Sequence, residues 1–182
     1  MTPDTRFDPD AAGRKVLTLD QALGVRRRLR RARARLVFTN GCFDLIHPGH
    51  VAFLQRARSL GDVLLVALNS DDSVRRIKGS GRPILSIEER IGVLSGLEAV
   101  DHICVFDEDT PHHILRILLP DVLVKGGDYS PDQIVAREVV ERAGGKAVTV
   151  STAFGTSTTA IIERILKGGT SPPGPSEKAV SR

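Results

Sequence analysis

Thr39-Asn40-Gly41-Cys42-Phe43-Asp44-Leu45-Ile46-His47-Pro48-Gly49-His50 joins an apolar run to a helical pattern. Upstream, residues 35–39 (RLVFT) read as a short buried strand. Downstream, residues 49–60 carry Val51, Leu54 and Ala57 on one helical face, with Gly61 as a stop. The stretch is therefore a strand–turn–helix corner. A helix start offers unpaired amides and the positive end of the dipole, which suits a phosphate. Gly41 lets the backbone come close to an anion, and Gly49 does the same at the helix start. His47 and His50 are three apart, which on a helix puts them on one face. Two imidazoles there can donate to a phosphoryl group whose charge shifts during reaction. The same pair could bind zinc, although no HExxH motif or third ligand stands nearby. It could also be two structural histidines.

Outward from the corner, strands and helices alternate. Residues 63–68 (VLLVAL) form a continuous apolar run of strand length, as in a parallel sheet buried on both faces. Residues 71–77 predict a short helix with Asp71 as N-cap. Ser86 with Glu89 predicts a capping box opening a longer helix, whose apolar positions are Ile87, Ile91, Leu94 and Leu97. Residues 102–106 (HICVF) predict a third strand and residues 122–124 a fourth. Thr110-Pro111 predicts a cap followed by Pro at the first helical position, and Ser130-Pro131 repeats it, with Gln133 completing a second box. That helix should end at Gly144-Gly145. Residues 146–150 (KAVTV) give a fifth strand, and residues 157–166 a last helix. Such alternation implies a Rossmann-like α/β fold: a doubly wound, mainly parallel five-stranded sheet with helices on both faces. Ligands then bind at the carboxyl ends of the strands.

A chain of 182 residues can bury a core without disulfide or metal staples. Cys42 and Cys104 make no disulfide framework and read as reduced, partly buried thiols. No apolar run reaches membrane-spanning length, and residues 1–9 lack a signal-peptide core, so a cytoplasmic protein is expected. The net charge of +4 suits a phosphate-bearing partner. Seven of the ten residues 26–35 are arginine. No aromatic residues interleave them to stack bases, so the run reads as a solvated helix face and no nucleic acid is expected. Residues 1–33 read as an N-terminal arm and helix, with 1–14 loose. Residues 34–167 read as one α/β domain. Residues 168–182, rich in Gly, Pro, Ser and charge, read as a disordered tail.

The segment TNGCFDLIHPGH resembles the His-x-Gly-His signature of the nucleotidylyltransferase superfamily. Across residues 16–166 the chain is most similar to bacterial D-glycero-β-D-manno-heptose 1-phosphate adenylyltransferases. The resemblance implies that Thr39, Asn40, Gly41, Cys42, Phe43, Asp44 and Gly49 surround the nucleotide, with His47 and His50 catalytic. It carries a phosphate-reaching role to Lys78, in the basic loop 78–83, and to Arg82. Asn69 and Asp71 fall in the family's turn after the second strand and are assigned to substrate. Lys125, Gly126, Gly127 and Asp128, after the fourth strand, are placed by the nucleotide. Ser157, Thr158 and Thr159 hold triphosphate oxygens. Glycerol-3-phosphate cytidylyltransferases carry Arg-Thr-Glu-Gly-Ile-Ser-Thr-Thr at this last helix start. Here Thr152, Phe154 and their neighbours replace the arginine and glutamate, which argues against that branch.

The implied reaction is ATP plus a sugar 1-phosphate giving ADP-sugar and pyrophosphate by direct in-line attack. Magnesium would arrive with ATP, held by phosphate oxygens and water without direct protein ligation, unless Asp44 assists. Family members are often dimers, so a homodimer is implied, together with a separate sugar kinase. Two other readings stay open: a cytidylyltransferase acting on a polyol phosphate, and a nucleotide-binding module without catalysis. No G-x-x-x-x-G-K-[ST] or G-x-G-x-x-G occurs, which argues against a P-loop kinase and an NAD enzyme.

Overall fold

The computed structural model describes residues 11–127, 134–151 and 156–168. Five strands, β1 (Leu36–Gly41), β2 (Val63–Asn69), β3 (His102–Phe106), β4 (Val122–Gly126) and β5 (Lys146–Val150), form one parallel sheet. Their spatial order is β3-β2-β1-β4-β5. The helices are α1 (Ala11–Lys15), α2 (Leu19–Ala32), α3 (Pro48–Arg58), α4 (Asp71–Lys78), α5 (Ile87–Ser95), α6 (His112–Leu118), α7 (Arg137–Arg142) and α8 (Thr158–Leu166).

Each central strand feeds two cores, because successive side chains point to opposite faces. Leu36, Phe38, Leu65, Ala67, Cys104 and Leu123 pack with Ala22 of α2, Leu115 and Leu118 of α6, and Val140 of α7. Val37, Leu64, Val66, Leu68, Ile103, Val122 and Val124 pack on the other face with Phe53 and Leu54 of α3 and Leu94 of α5. Burial on both faces is why these strands read as unbroken apolar runs.

The chain winds outward from β1 through β2 to β3, then returns to lay β4 on the other side of β1. This reversal makes a switch point between β1 and β4. Their register holds for only two residue pairs, Val37 with Val122 and Phe38 with Leu123. Beyond those pairs the two strands part, and the crevice between their carboxyl ends receives the corner.

Several local expectations change. Residues 11–14, expected in a loose arm, belong to the short helix α1. Ser70 rather than Asp71 caps α4, its hydroxyl accepting from the Ser73 amide. Pro111 is itself the N-cap of α6, with no side-chain cap bond from Thr110. The seventh helix is shorter than its pattern, opening at Ala136 in a left-handed conformation (φ 64°). Ser130, Pro131 and Gln133 lie outside the described residues, as do residues 152–155 and 169–182. The capping box at Ser86 and Glu89 is present, and so is one at Thr18 and Gln21. Among the described residues no helix is long and apolar enough to cross a membrane.

One arginine of the run is not solvated. Arg26 is buried beneath α6, donating to both carboxylate oxygens of Asp121 (2.6 and 2.9 Å) and to the carbonyls of Leu118 and Leu119. Asp121 also accepts from the Leu36 amide at 2.7 Å. The pair therefore ties α2, the end of α6 and the start of β1 together. Arg27, Arg28, Arg30, Arg31, Arg33 and Arg35 are exposed.

Candidate active site

At the end of β1 the chain turns through Cys42 and Phe43, the latter at φ 43°. A bulky side chain in the left-handed region costs energy that the surrounding packing must hold. Phe43 is buried, with its ring 5.3 Å from that of His50. A Cβ on Gly41 would meet the Phe43 ring at 3.1 Å. Gly41 thus makes room for Phe43 within the corner itself, a use the sequence reading missed. Gly49 is buried in the first turn of α3.

His47 does not lie within the helix, as the spacing suggested. It is the extended N-cap of α3 (φ −141°, ψ 168°) and makes no side-chain cap bond. The two rings nevertheless come together, stacked with centroids 3.9 Å apart. Burial pushes His50 down to about 4, with the neighbouring His47 adding to it and a hydrogen bond to the Leu45 backbone opposing it, and burial also lowers His47. Both rings are therefore neutral near pH 7. Nδ1 of each ring and the Thr39 hydroxyl are buried without a hydrogen-bond partner among the described residues. Buried polar atoms are rarely left unpaired, and all three of these residues line one cavity.

Lys125 of β4 bridges the parted strands. Its Nζ donates to the side-chain oxygen of Asn40 (2.5 Å) and to the Asn40 carbonyl (3.3 Å). Burial lowers its ammonium to about 8, with Cys42 pulling weakly the other way. The Cys42 thiol is itself pushed up by burial. Gly126 and Gly127 continue the crevice wall. Gly127 adopts φ 116°, which suits glycine alone, and donates its amide to the Val150 carbonyl. Asp128 lies outside the described residues.

Two adjoining cavities of about 410 and 350 Å³ share Asn40, Gly41, Cys42, Phe43, His50 and Lys125. The smaller adds Thr39, His47, Gly49, Phe53, Gly126 and Gly127. The larger adds Asp44, Asn69, Lys78, Arg82, Thr158 and Thr159. Thr158 also donates to the Leu45 carbonyl at 3.3 Å, bringing the start of α8 to the corner. Ser157 accepts from the Ala160 amide as N-cap, and Asn69 donates to Ser73. Asp71 lines neither cavity; it is held by Arg90.

Asp44 is gripped by the segment that follows α4. Its buried carboxylate accepts from Arg82 Nε at 2.6 Å and from the amides of Ile84 and Leu85 at 2.9 Å. Burial alone would push the carboxyl up, but these amides and Arg82 outweigh it and hold it below the usual range. Both Asp44 oxygens are engaged in anchoring residues 82–85, and Arg82 takes part through Nε.

Arg90 went unread in the sequence. It is fully buried on α5 and donates to the Cys42 carbonyl and to Asp71, each at 2.7 Å. A signal existed: Arg90 falls on the apolar stripe of Ile87, Ile91 and Leu94, where a charge has to find partners.

A parallel sheet of this order, with paired histidines at a helix start on its switch point, defines a Rossmann-like fold of the nucleotidyltransferase type. The cytidylyltransferase-like family model matches residues 38–164, and the chain belongs to that family. The resemblance carried by residues 39–50 is thereby borne out. Among curated relatives, "Bifunctional protein HldE" of Geobacter sulfurreducens is 53% identical over 153 residues, covering 84% of this chain and 31% of that protein. The protein of the same name from Hahella chejuensis is 51% identical over 156 residues, covering 86% and 33%. The chain thus spans about a third of the length of these relatives. Among solved structures, the lipopolysaccharide core biosynthesis protein of Thermoplasma volcanium GSS1 superposes with a TM-score of 0.54 at 26% identity, covering 66% of this chain and 97% of that one. The pantoate-beta-alanine ligase of Francisella tularensis shares the fold, with a TM-score of 0.56 at 16% identity, covering 76% and 67%.

Proposed function

We propose that the chain is an adenylyltransferase that joins ATP to a sugar 1-phosphate, D-glycero-β-D-manno-heptose 1-phosphate, releasing pyrophosphate and forming ADP-heptose. The stacked pair His47–His50, set at the start of α3 beside Lys125, carries this reading. The sugar phosphate oxygen attacks the α-phosphorus as the bridge to pyrophosphate breaks. The two stacked imidazoles steady the α-phosphoryl oxygens as charge builds there. Lys125, where the two cavities meet, and Lys78, in the larger one, supply positive charge. No side chain forms a covalent intermediate, so positioning and charge stabilisation account for the rate. Magnesium belongs to the substrate, riding on the triphosphate. Asn69, Thr158 and Thr159 are left to hold acceptor and phosphate oxygens. The relatives near 50% identity across most of the chain favour a shared substrate pair over the polyol-phosphate cytidylyltransferase alternative.

The test is a matrix of ATP, CTP, GTP and UTP against heptose 1-phosphate, other sugar 1-phosphates and glycerol 3-phosphate, read by pyrophosphate release. ATP with heptose 1-phosphate should exceed every other pair by at least about tenfold, the discrimination of one lost pocket contact. Preference for CTP with a polyol phosphate would overturn the reading. Absence of turnover with every pair would leave a binding module.

Lys125 gives the site a pH signature. Its ammonium sits at about 8 in the free protein because burial disfavours the charge. A bound triphosphate favours the charged form and raises that value, so binding takes up a proton near pH 8. ATP affinity should therefore weaken as pH rises from 8 toward 9. Calorimetric titrations in two buffers of different ionisation enthalpy will show the uptake. Affinity that is level from pH 7 to 9, with no proton uptake, would remove Lys125 from the nucleotide site.

A further inference from the structure

Residues 71–90 leave the histidine corner and are tied back to it twice. The first tie is Arg90. Its Nη1 donates to the Cys42 carbonyl, inside the corner, and its Nη2 to Asp71, the first residue of α4. The second tie is Asp44, whose carboxylate gathers Arg82 Nε and the consecutive amides of Ile84 and Leu85. Lys78 lies between the two ties at the end of α4. It is exposed, lines the larger cavity and makes no hydrogen bond or ion pair among the described residues. Nothing about Lys78 itself decides where its ammonium points. Its place is set by what holds the segment around it.

We propose that Asp44 and Arg90 are positioning residues, a two-point clamp that holds the Lys78 segment against the His47–His50 corner without either one touching substrate. The inference rests on the reading of Lys78 as a phosphate-binding side chain. The segment between the ties contains Gly79, at φ 96°, and Gly81, which would otherwise leave residues 79–82 many conformations. A carboxylate that accepts from two successive amides and a guanidinium fixes the far end of this segment in both position and direction. Asp44 is also three residues before His47 in the turn. The group that orders the basic segment thus belongs to the corner that segment must face. Ordering it before reaction removes a cost otherwise met in the transition state, and a misplacement of about 1 Å in such a group can cost about a hundredfold in rate.

Asp44→Asn tests the clamp, because it keeps the size but removes the charge and one acceptor oxygen. Hydrogen exchange at the Ile84 and Leu85 amides should rise about tenfold or more, while β2 and β3 amides stay protected. In steady-state assays kcat should fall about thirtyfold or more, with KM for ATP changing less than about threefold. In a Lys78→Ala background the same Asp44→Asn change should cost less than about threefold, since residues that act through one another are not additive. If Asp44→Asn does not fold, Arg82→Gln releases one donor and Arg90→Lys loosens the other tie, and both should repeat the pattern at smaller scale. Unchanged exchange at residues 84 and 85 overturns the clamp whatever the substrate. Additive losses with Lys78→Ala overturn the positioning role. A wild-type protein that turns over no substrate pair sinks the adenylyltransferase reading, and the exchange measurement still decides the clamp.

Discussion

Replacing His50 by alanine is expected to lower kcat about a hundredfold or more, the loss that follows removal of one preorganised donor at a phosphoryl or oxyanion site. His50 lies on α3 with its ring stacked on His47 at 3.9 Å, and the two share the crevice with Lys125. Burial holds it at about 4, so at neutral pH the ring is uncharged. Alanine removes that donor and also unstacks His47. The loss should appear in kcat, with the dissociation constant for ATP little changed, because the donor acts where charge develops. His47→Ala should follow the same pattern. Its side chain makes no cap bond, so helix α3 keeps its start. Melting curves separate a chemical defect from an unfolded one. Near-wild-type turnover of the folded His50→Ala protein would end the proposed mechanism.

Replacing Asp121 by alanine is expected to destabilise the fold by about 3 kcal/mol, toward the lower end for breaking a buried pair. Arg26 would be left with its side chain only 5% exposed and without its counterion, although the Leu118 and Leu119 carbonyls remain. The Asp121 side chain is itself 35% exposed, which keeps the loss from the upper end. The Leu36 amide at the start of β1 would lose its acceptor as well. By contrast, Arg27→Ala and Arg31→Ala, on the exposed face, should each stay within about 0.5 kcal/mol. Urea unfolding of the three variants compares them directly. Equal losses at Arg27 or Arg31 would contradict the buried placement of the Arg26 pair. The pH dependence has a definite sign. Burial pushes the Asp121 carboxyl up, but Arg26 and the Leu36 amide outweigh it and hold it below the ordinary range. The pair's contribution is complete above the ordinary carboxylate value of about 3.9 and is lost as pH falls through the lower folded value.

Arg26 and Arg90 show where sequence reasoning fell short. Arg26 was absorbed into a run of seven arginines and read with them as solvated. Its position, on the stripe of Ala22, Val25 and Leu29, carried the contrary information. Arg90 holds the same kind of position among Ile87, Ile91 and Leu94. Periodicity can place a charge on a buried face, but it cannot name the partner. Those partners, Asp121 and the Cys42 carbonyl with Asp71, are 95, 48 and 19 residues away. Asp44 is a different case. It sits inside the most informative stretch of the chain, yet its three donors come from residues 82–85, which no local pattern connects to it.

The order of residues alone sets the alternation of strands and helices, because apolar runs of strand length and amphipathic stripes are local properties of the chain. It also determined the histidine corner, since a strand end, a Gly-containing turn and a helix start lie within twelve consecutive residues, 39–50. The folded chain adds that β4 returns to the far side of β1, that Lys125 spans the gap to Asn40, and that the Lys78 segment is tied to the corner by Asp44 and Arg90. The reason is physical. A buried parallel strand offers the same backbone ladder to any neighbour, so its partner is chosen by the packing of whole layers. Side chains that meet at the carboxyl ends of such strands acquire their roles only after that choice is made.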